Sequence, residues 1–227
     1  MPANRLVPAL ALSLLLAVGA AAAQDGADID KVNGSITAEP GKAYGDLETV
    51  NGSIRLEDGA HSRDARTVNG SIKAGDDVEA GDVGTVNGSI RFGRRARITG
   101  GLETVNGGIF VDRGGNVARG IETVNGAIGI VATDVGGSIE TVNGDVTVGI
   151  DSHVRGGLKV HKQNSTWMPI RFGKNRKPRI VVGPGAVIDG DLVFEREVTL
   201  YVHSSARIGN VTGATAVAFD TPRAPRD

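Results

Sequence analysis

The sequence predicts an all-β fold: a single-stranded parallel β-solenoid (β-helix) of about 18–19 residues per coil. Three observations predict it. Val-Asn-Gly recurs seven times at near-constant spacing, apolar residues stand at fixed offsets from each Asn, and glycine is abundant where large rings are scarce. Of the 227 residues 34 are glycine, about twice the usual share of roughly 7%. Aromatic residues number only eight, yet 40% of the chain is apolar, enough to bury a core built from Val, Ile, Leu and Ala. The glycines follow no strict Gly-X-Y period, which excludes collagen. With no cysteine, the chain has no disulfide, thiolate metal site, cysteine nucleophile or lipidated N-terminal Cys.

Residues 1–23 read as a signal peptide. Arg5 supplies the positive start, Leu6 to Val18 a short apolar run, and Ala21-Ala22-Ala23 a small-residue cleavage site, so the mature chain begins near Gln24. The run is too short to span a bilayer and contains Pro8, and no later stretch approaches 18 apolar residues. The expectation is an exported protein without a transmembrane span, in the periplasm or at the cell surface.

Residues 28–150 carry the regular coils. The repeat Asn residues are Asn33, Asn51, Asn69, Asn87, Asn106, Asn125 and Asn143, at steps of 18 or 19. Val precedes each, and the position four before is always apolar, from Ile29 and Leu47 to Ile139. Positions three and five after the Asn are also apolar, Ile36 and Ala38 in the first copy and Val146 and Val148 in the last. Alternation with polar residues there is the period-2 signature of a strand with one buried face. Asn-Gly marks a corner because both residues tolerate positive φ. A lone 18-residue unit cannot bury its apolar face, but stacked units turn each column into an internal ladder. The seven Asn amides are then expected to hydrogen-bond along the axis as a structural ladder, beside a scaffold column of Thr49, Thr67, Thr85, Thr104, Thr123 and Thr141.

Residues 151–178 read as an irregular coil, with Gly156 to Val160 echoing Gly100 to Glu103, followed by a basic inserted loop flanked by Pro169 and Pro178. Residues 179–212 resume as C-terminal coils, since Val182, Ile188, Phe194, Leu200 and Ala206 are six apart, which makes three short faces per coil. The solenoid thus runs over 24–212, and 213–227 read as a loose tail. Nine or ten coils make a rod roughly 45 Å long.

The repeats Thr67 to Ile72 and Thr85 to Ile90 resemble the adhesin-like β-strand-repeat proteins of bacterial envelopes, whose function is mostly unassigned. The stretch Ile180 to Leu192 is similar to bactofilins, polymer-forming cytoskeletal β-helices. The resemblance implies a β-helix and no catalytic residue, although a cleavable export signal departs from the bactofilin pattern. The 19-residue steps and the resemblance favour a right-handed coil, while the six-residue spacing suits a left-handed one.

Charge is unevenly spread. Residues 24–151 hold 20 acids and 12 bases, and residues 152–227 hold 6 acids and 12 bases. Arg171, Lys174, Arg176, Lys177 and Arg179 form a candidate anion-binding cluster for lipid phosphate or acidic glycan. Three before the Asn, Glu103, Glu122 and Glu140 stack like charges on successive coils; this stripe is either a cation site or a solvated face. The acid pairs Asp189/Asp191 and Glu195/Glu197 place carboxylates two apart on one strand face, the arrangement to weigh for glycoside hydrolysis against a polar solvent face, and the four histidines lack metal-ligand spacing. The sequence therefore points to a non-enzymatic scaffold or adhesin-like protein with no cofactor, no metal and no nucleic-acid partner. The alternatives are a bactofilin-like self-assembling polymer and a carbohydrate-active β-helix enzyme.

Overall fold

A computed structural model describes residues 26–162 and 177–225. The signal-peptide reading and Arg171, Lys174 and Arg176 lie outside the described residues. Within them the chain winds through three parallel sheets of ten, ten and nine strands, each coil adding one strand to each sheet in turn. The second coil is representative. Leu47–Asn51 lies in the first sheet, Ile54–Leu56 in the second and His61–Ser62 in the third. Register follows the repeat without slip, with Leu47 beside Ile29 and Ala65, and Asn51 beside Asn33 and Asn69.

The apolar columns form one continuous core. Leu47, Ile54, Ile72, Leu102, Ile121 and Ile139 are each fully buried, and burial of a side chain of this size contributes roughly 1.5–3 kcal/mol. The C-terminal spacing also holds: Val182 lies in the second sheet, Ile188 in the third, Phe194 in the first and Leu200 in the second. Among the described residues one buried side-chain polar atom, the hydroxyl of Ser62, finds no hydrogen-bond partner.

Two details depart from expectation. The corner glycines are needed for close stacking more than for positive φ. Among the seven, only Gly34 and Gly126 have positive φ (113° and 159°), and none of the Asn residues does. Instead, a Cβ at Gly52, Gly70, Gly88 or Gly107 would lie within 3.0 Å of the carbonyl oxygen of the corner glycine one coil earlier. That same carbonyl accepts a hydrogen bond from a buried threonine: Thr67 Oγ1 donates to Gly52 O at 2.8 Å, and Thr85 Oγ1 to Gly70 O at 2.9 Å. Second, the tail begins later than residue 213. Ala216–Phe219 is the last strand of the second sheet, paired with Thr199–His203, and Phe219 is buried.

The irregular coil joins the stack. Leu158–Val160 pairs with Ile139–Thr141 on one side and Leu192–Phe194 on the other. The step from Val146 to its partner Ile180 is 34 residues instead of 18 or 19, so the extra residues of sequence fall where other coils have their Asn-Gly corner.

Candidate functional site

The Asn column forms the expected ladder. Each Nδ2 donates to the Oδ1 one coil earlier, at 2.9–3.0 Å, from Asn51 to Asn33 through to Asn143 to Asn125. Parallel to it runs a serine ladder, in which Ser35, Ser53 and Ser71 accept the backbone N–H of the next serine at 3.2–3.3 Å. A third ladder, of aspartates, was not read from the sequence. Asp28 Oδ1 accepts from Asp46 N and Asp64 Oδ1 from Asp82 N, both at 2.8 Å. Its signal was an acid five before the Asn in the first four copies.

The Glu103, Glu122 and Glu140 column does stack in register on the outer face of the first sheet. Burial, reinforced by Glu140 and Glu103, raises the Glu122 pKa above the usual carboxylate range. The stripe ends in a mixed cluster, where Glu140 Oε2 lies 2.7 Å from His161 Nε2 and Lys159 pairs with Glu195 at 3.1 Å. Among the described residues no group of three or more His, Asp or Glu side chains is arranged to hold a metal ion.

The acid pairs considered for glycoside hydrolysis do not share a strand face. Asp189 and Asp191 sit in the corner between Val187–Ile188 and Leu192–Phe194. Asp189 faces His153 at 2.7 Å, while Asp191 accepts from Asn210 Nδ2 at 3.1 Å. Glu195 meets Lys159, and Glu197 meets Lys177 at 2.9 Å. Ser152 is buried and accepts from Thr133 N (3.4 Å), whereas His153 points outward, so this run makes no triad.

Of the anion-binding cluster, the two described members are engaged within the rod. Lys177 pairs with Glu197. Arg179 stacks over the Tyr201 ring at 5.0 Å and donates to the Pro225 carbonyl. The recesses are shallow: an open groove of about 230 Å³ between the third and first sheets is lined by Arg63, Asp64, Asp82, Thr99 and Arg119. Arg63 there bridges Asp28 (3.2 Å) and Asp46 (2.5 Å).

Several surface charges are paired across coils. Arg94 meets Asp76 (3.1 Å), Arg95 meets Asp77 (2.6 Å) and Arg97 meets Glu79 (3.1 Å), each 18 residues apart. The Arg94 backbone N–H and the Arg95 guanidinium hold Asp76 and Asp77, respectively, below the usual aspartate range. A column that sequence reasoning passed over lies four after each Asn, on the outer face of the second sheet: Thr37, Arg55, Lys73, Arg91 and Phe110. Compared with family models, curated proteins and solved structures, the chain matches none.

Proposed function

We propose that the chain is an exported, non-enzymatic β-solenoid serving as a scaffold or adhesin-like rod of the bacterial cell envelope, in contact with an anionic envelope component such as lipid phosphate or acidic glycan. What carries the reading is the use made of the repeated polar residues. The Asn amides bond to one another, and Thr67 and Thr85 bond to corner carbonyls; these side chains hold coil to coil. Repetition is spent on a rigid rod with a regular surface.

The test is cellular fractionation of the full chain, with N-terminal sequencing and assay of the purified mature protein on envelope glycans. A start near Gln24 in an exported fraction, with no reducing sugar released, is expected. Retention in the cytoplasm, or sugar release, overturns the proposal.

A second reading, self-assembly, is favoured by the rod's ends. Ile29–Asn33 and Ala216–Phe219 are terminal strands of their sheets among the described residues, and Val32 and Val217 on them are 68% and 48% exposed. Open strand edges invite addition of a further strand. Light scattering across concentration and salt separates the two: length-quantised oligomers support assembly, and a monomeric rod at all concentrations rejects it.

A further inference from the structure

We infer that the outer face of the second sheet, over the second to fourth coils, is a binding stripe for a linear acidic polysaccharide. The inference takes over the anionic-partner reading above but rests on different residues. Arg55, Lys73 and Arg91 are direct register partners on successive parallel strands, which lie about 4.8 Å apart, and all three are exposed.

Like charges directly opposed on neighbouring strands disfavour pairing. The Glu103, Glu122 and Glu140 column shares this arrangement with the opposite sign, whereas Arg94, Arg95 and Arg97 each meet an acid one coil below. In this column the acid contact among the described residues is Glu57, at 3.8 Å from Arg55; Lys73 and Arg91 form no ion pair. Three cations in a straight line, two of them without an ion pair among the described residues, concentrate positive potential that an anionic chain would neutralise.

Arg91 is held in place rather than free to swing. Its guanidinium lies 4.8 Å from the centre of the Phe110 ring, a cation–π contact. Phe110 in turn packs over Gly129, where an added Cβ would come within 3.3 Å of the ring. A second row of donors runs beside the cations. Ser53, Ser71 and Ser89 stand two residues before Arg55, Lys73 and Arg91, on the same side of the chain. Each Oγ already accepts a backbone N–H of the next coil, which leaves its O–H to donate outward.

A cation and a hydroxyl repeated on each coil suit a polymer that presents a carboxylate and ring hydroxyls at regular intervals. Single-stranded nucleic acid is bound through stacking platforms, but the ring beside these cations, Phe110, already carries the Arg91 guanidinium over it. A membrane-lying surface sets apolar side chains among its cations, whereas Arg55, Lys73 and Arg91 follow one another without interruption and Phe110, the next residue of the column, lies beyond them.

The experiment is isothermal titration of the mature chain with polygalacturonate, using dextran, anionic phospholipid vesicles and single-stranded DNA as the comparison arms. Binding to polygalacturonate, weakened by salt and absent with dextran, is expected. The triple variant Arg55→Gln/Lys73→Gln/Arg91→Gln should lose at least about tenfold in affinity with no fall in melting temperature, while Lys177→Gln/Arg179→Gln binds as the parent does. Loss in the second variant but not the first overturns the stripe and leaves the anionic-partner reading standing. Equal or tighter binding to vesicles or DNA overturns the polysaccharide class. No binding of the parent to any anionic probe overturns the stripe and the anionic partner together.

Discussion

Arg196 donates from Nη1 to Asn143 Oδ1 (2.5 Å) and to the Val142 carbonyl (3.1 Å), across 53 residues of sequence. It closes the amide ladder. Every Asn amide from Asn51 on donates one coil back, so the last Oδ1, that of Asn143, would lack a donor. The next coil has Lys162 and the inserted segment where Asn-Gly should be. Arg196 stands four after Leu192, as Asn143 stands four after Ile139, and its length lets it reach past the interrupted coil.

Arg196→Leu should therefore cost about 1.5–3 kcal/mol, the range for hydrogen bonds to a charged group, towards its lower end because the site is half-buried. Amide hydrogen exchange should show the loss locally, with faster exchange around Val142 to Gly144 and in the following coils, and unchanged protection near Asn51 and Asn69. Uniform loss along the rod would show that Arg196 acts through global packing and not through the ladder.

The two halves of the Asn-Gly corner should differ sharply in tolerance. Asn87→Ala removes two exposed amide bonds, to Asn69 and from Asn106, at a net cost of about 1 kcal/mol. Gly88→Ala forces a methyl group into the Gly70 carbonyl. That carbonyl is already held by Thr85, so it cannot retreat, and a loss of about 3 kcal/mol, the upper end for overpacking, is expected. Denaturant midpoints measure both. Equal losses would mean that the coil spacing yields to admit the methyl group.

Much of this architecture was legible because the Asn column sets the frame for every other. Core positions such as Leu47, Ile54 and Ile121 follow directly from offsets to that Asn. Which face a column takes was less legible. The threonines point inward, buried against corner carbonyls, while the invariant valines beside them point outward, as Val32 shows. Period-2 alternation says that Thr and Val take opposite faces, but hydrophobicity alone assigns them the wrong way round. The corner carbonyls decide, because they offer the buried hydroxyl an acceptor. The Ala216–Phe219 strand lacks an Asn-Gly marker, and the 34-residue step hid Arg196 from the Asn column. The basic stripe was present at a fixed offset but acquires meaning only when the coils are stacked and Arg55, Lys73 and Arg91 become direct neighbours.

A third prediction concerns the turn between the second and third sheets. Equivalent positions there adopt positive φ in successive coils, at Gly41, Gly59, Asp77, Arg95, Gly114, Ala132, Asp151 and Gly185. Asp77 and Arg95 offset the strain by pairing with each other. Ala132, at φ 42°, has no side chain with which to do so. The left-handed conformation costs a non-glycine residue roughly 1–2 kcal/mol, against roughly 0.5–1 kcal/mol of extra backbone entropy for glycine. Ala132→Gly should thus stabilise the rod by about 0.5–1 kcal/mol, read as a raised midpoint with an unchanged denaturant slope. A lowered midpoint would show that the alanine methyl group contributes packing worth more than the strain.

The acidic stripe carries a pH signature. The Glu122 pKa is raised above the ordinary 4.5, first by burial and then by Glu140 and Glu103, with His161 opposing. The folded state therefore binds this proton more tightly than the unfolded chain does, so this group's contribution to stability falls as pH rises from the ordinary value through the raised one. Glu122→Gln removes that dependence. At neutral pH the variant should be more stable than the parent by a few tenths up to about 1 kcal/mol, the range for relieving directly opposed like charges. The advantage should vanish below the ordinary value, where the parent's carboxyl is protonated in both states. High salt should shrink it only in part, because salt screens Glu103 and Glu140 but leaves the cost of burial in place. Thermal unfolding of both proteins from acid to neutral pH, at low and high salt, measures this directly. Superimposable pH profiles would mean that Glu122 is solvated well enough in the folded rod to ionise as it does in the unfolded chain.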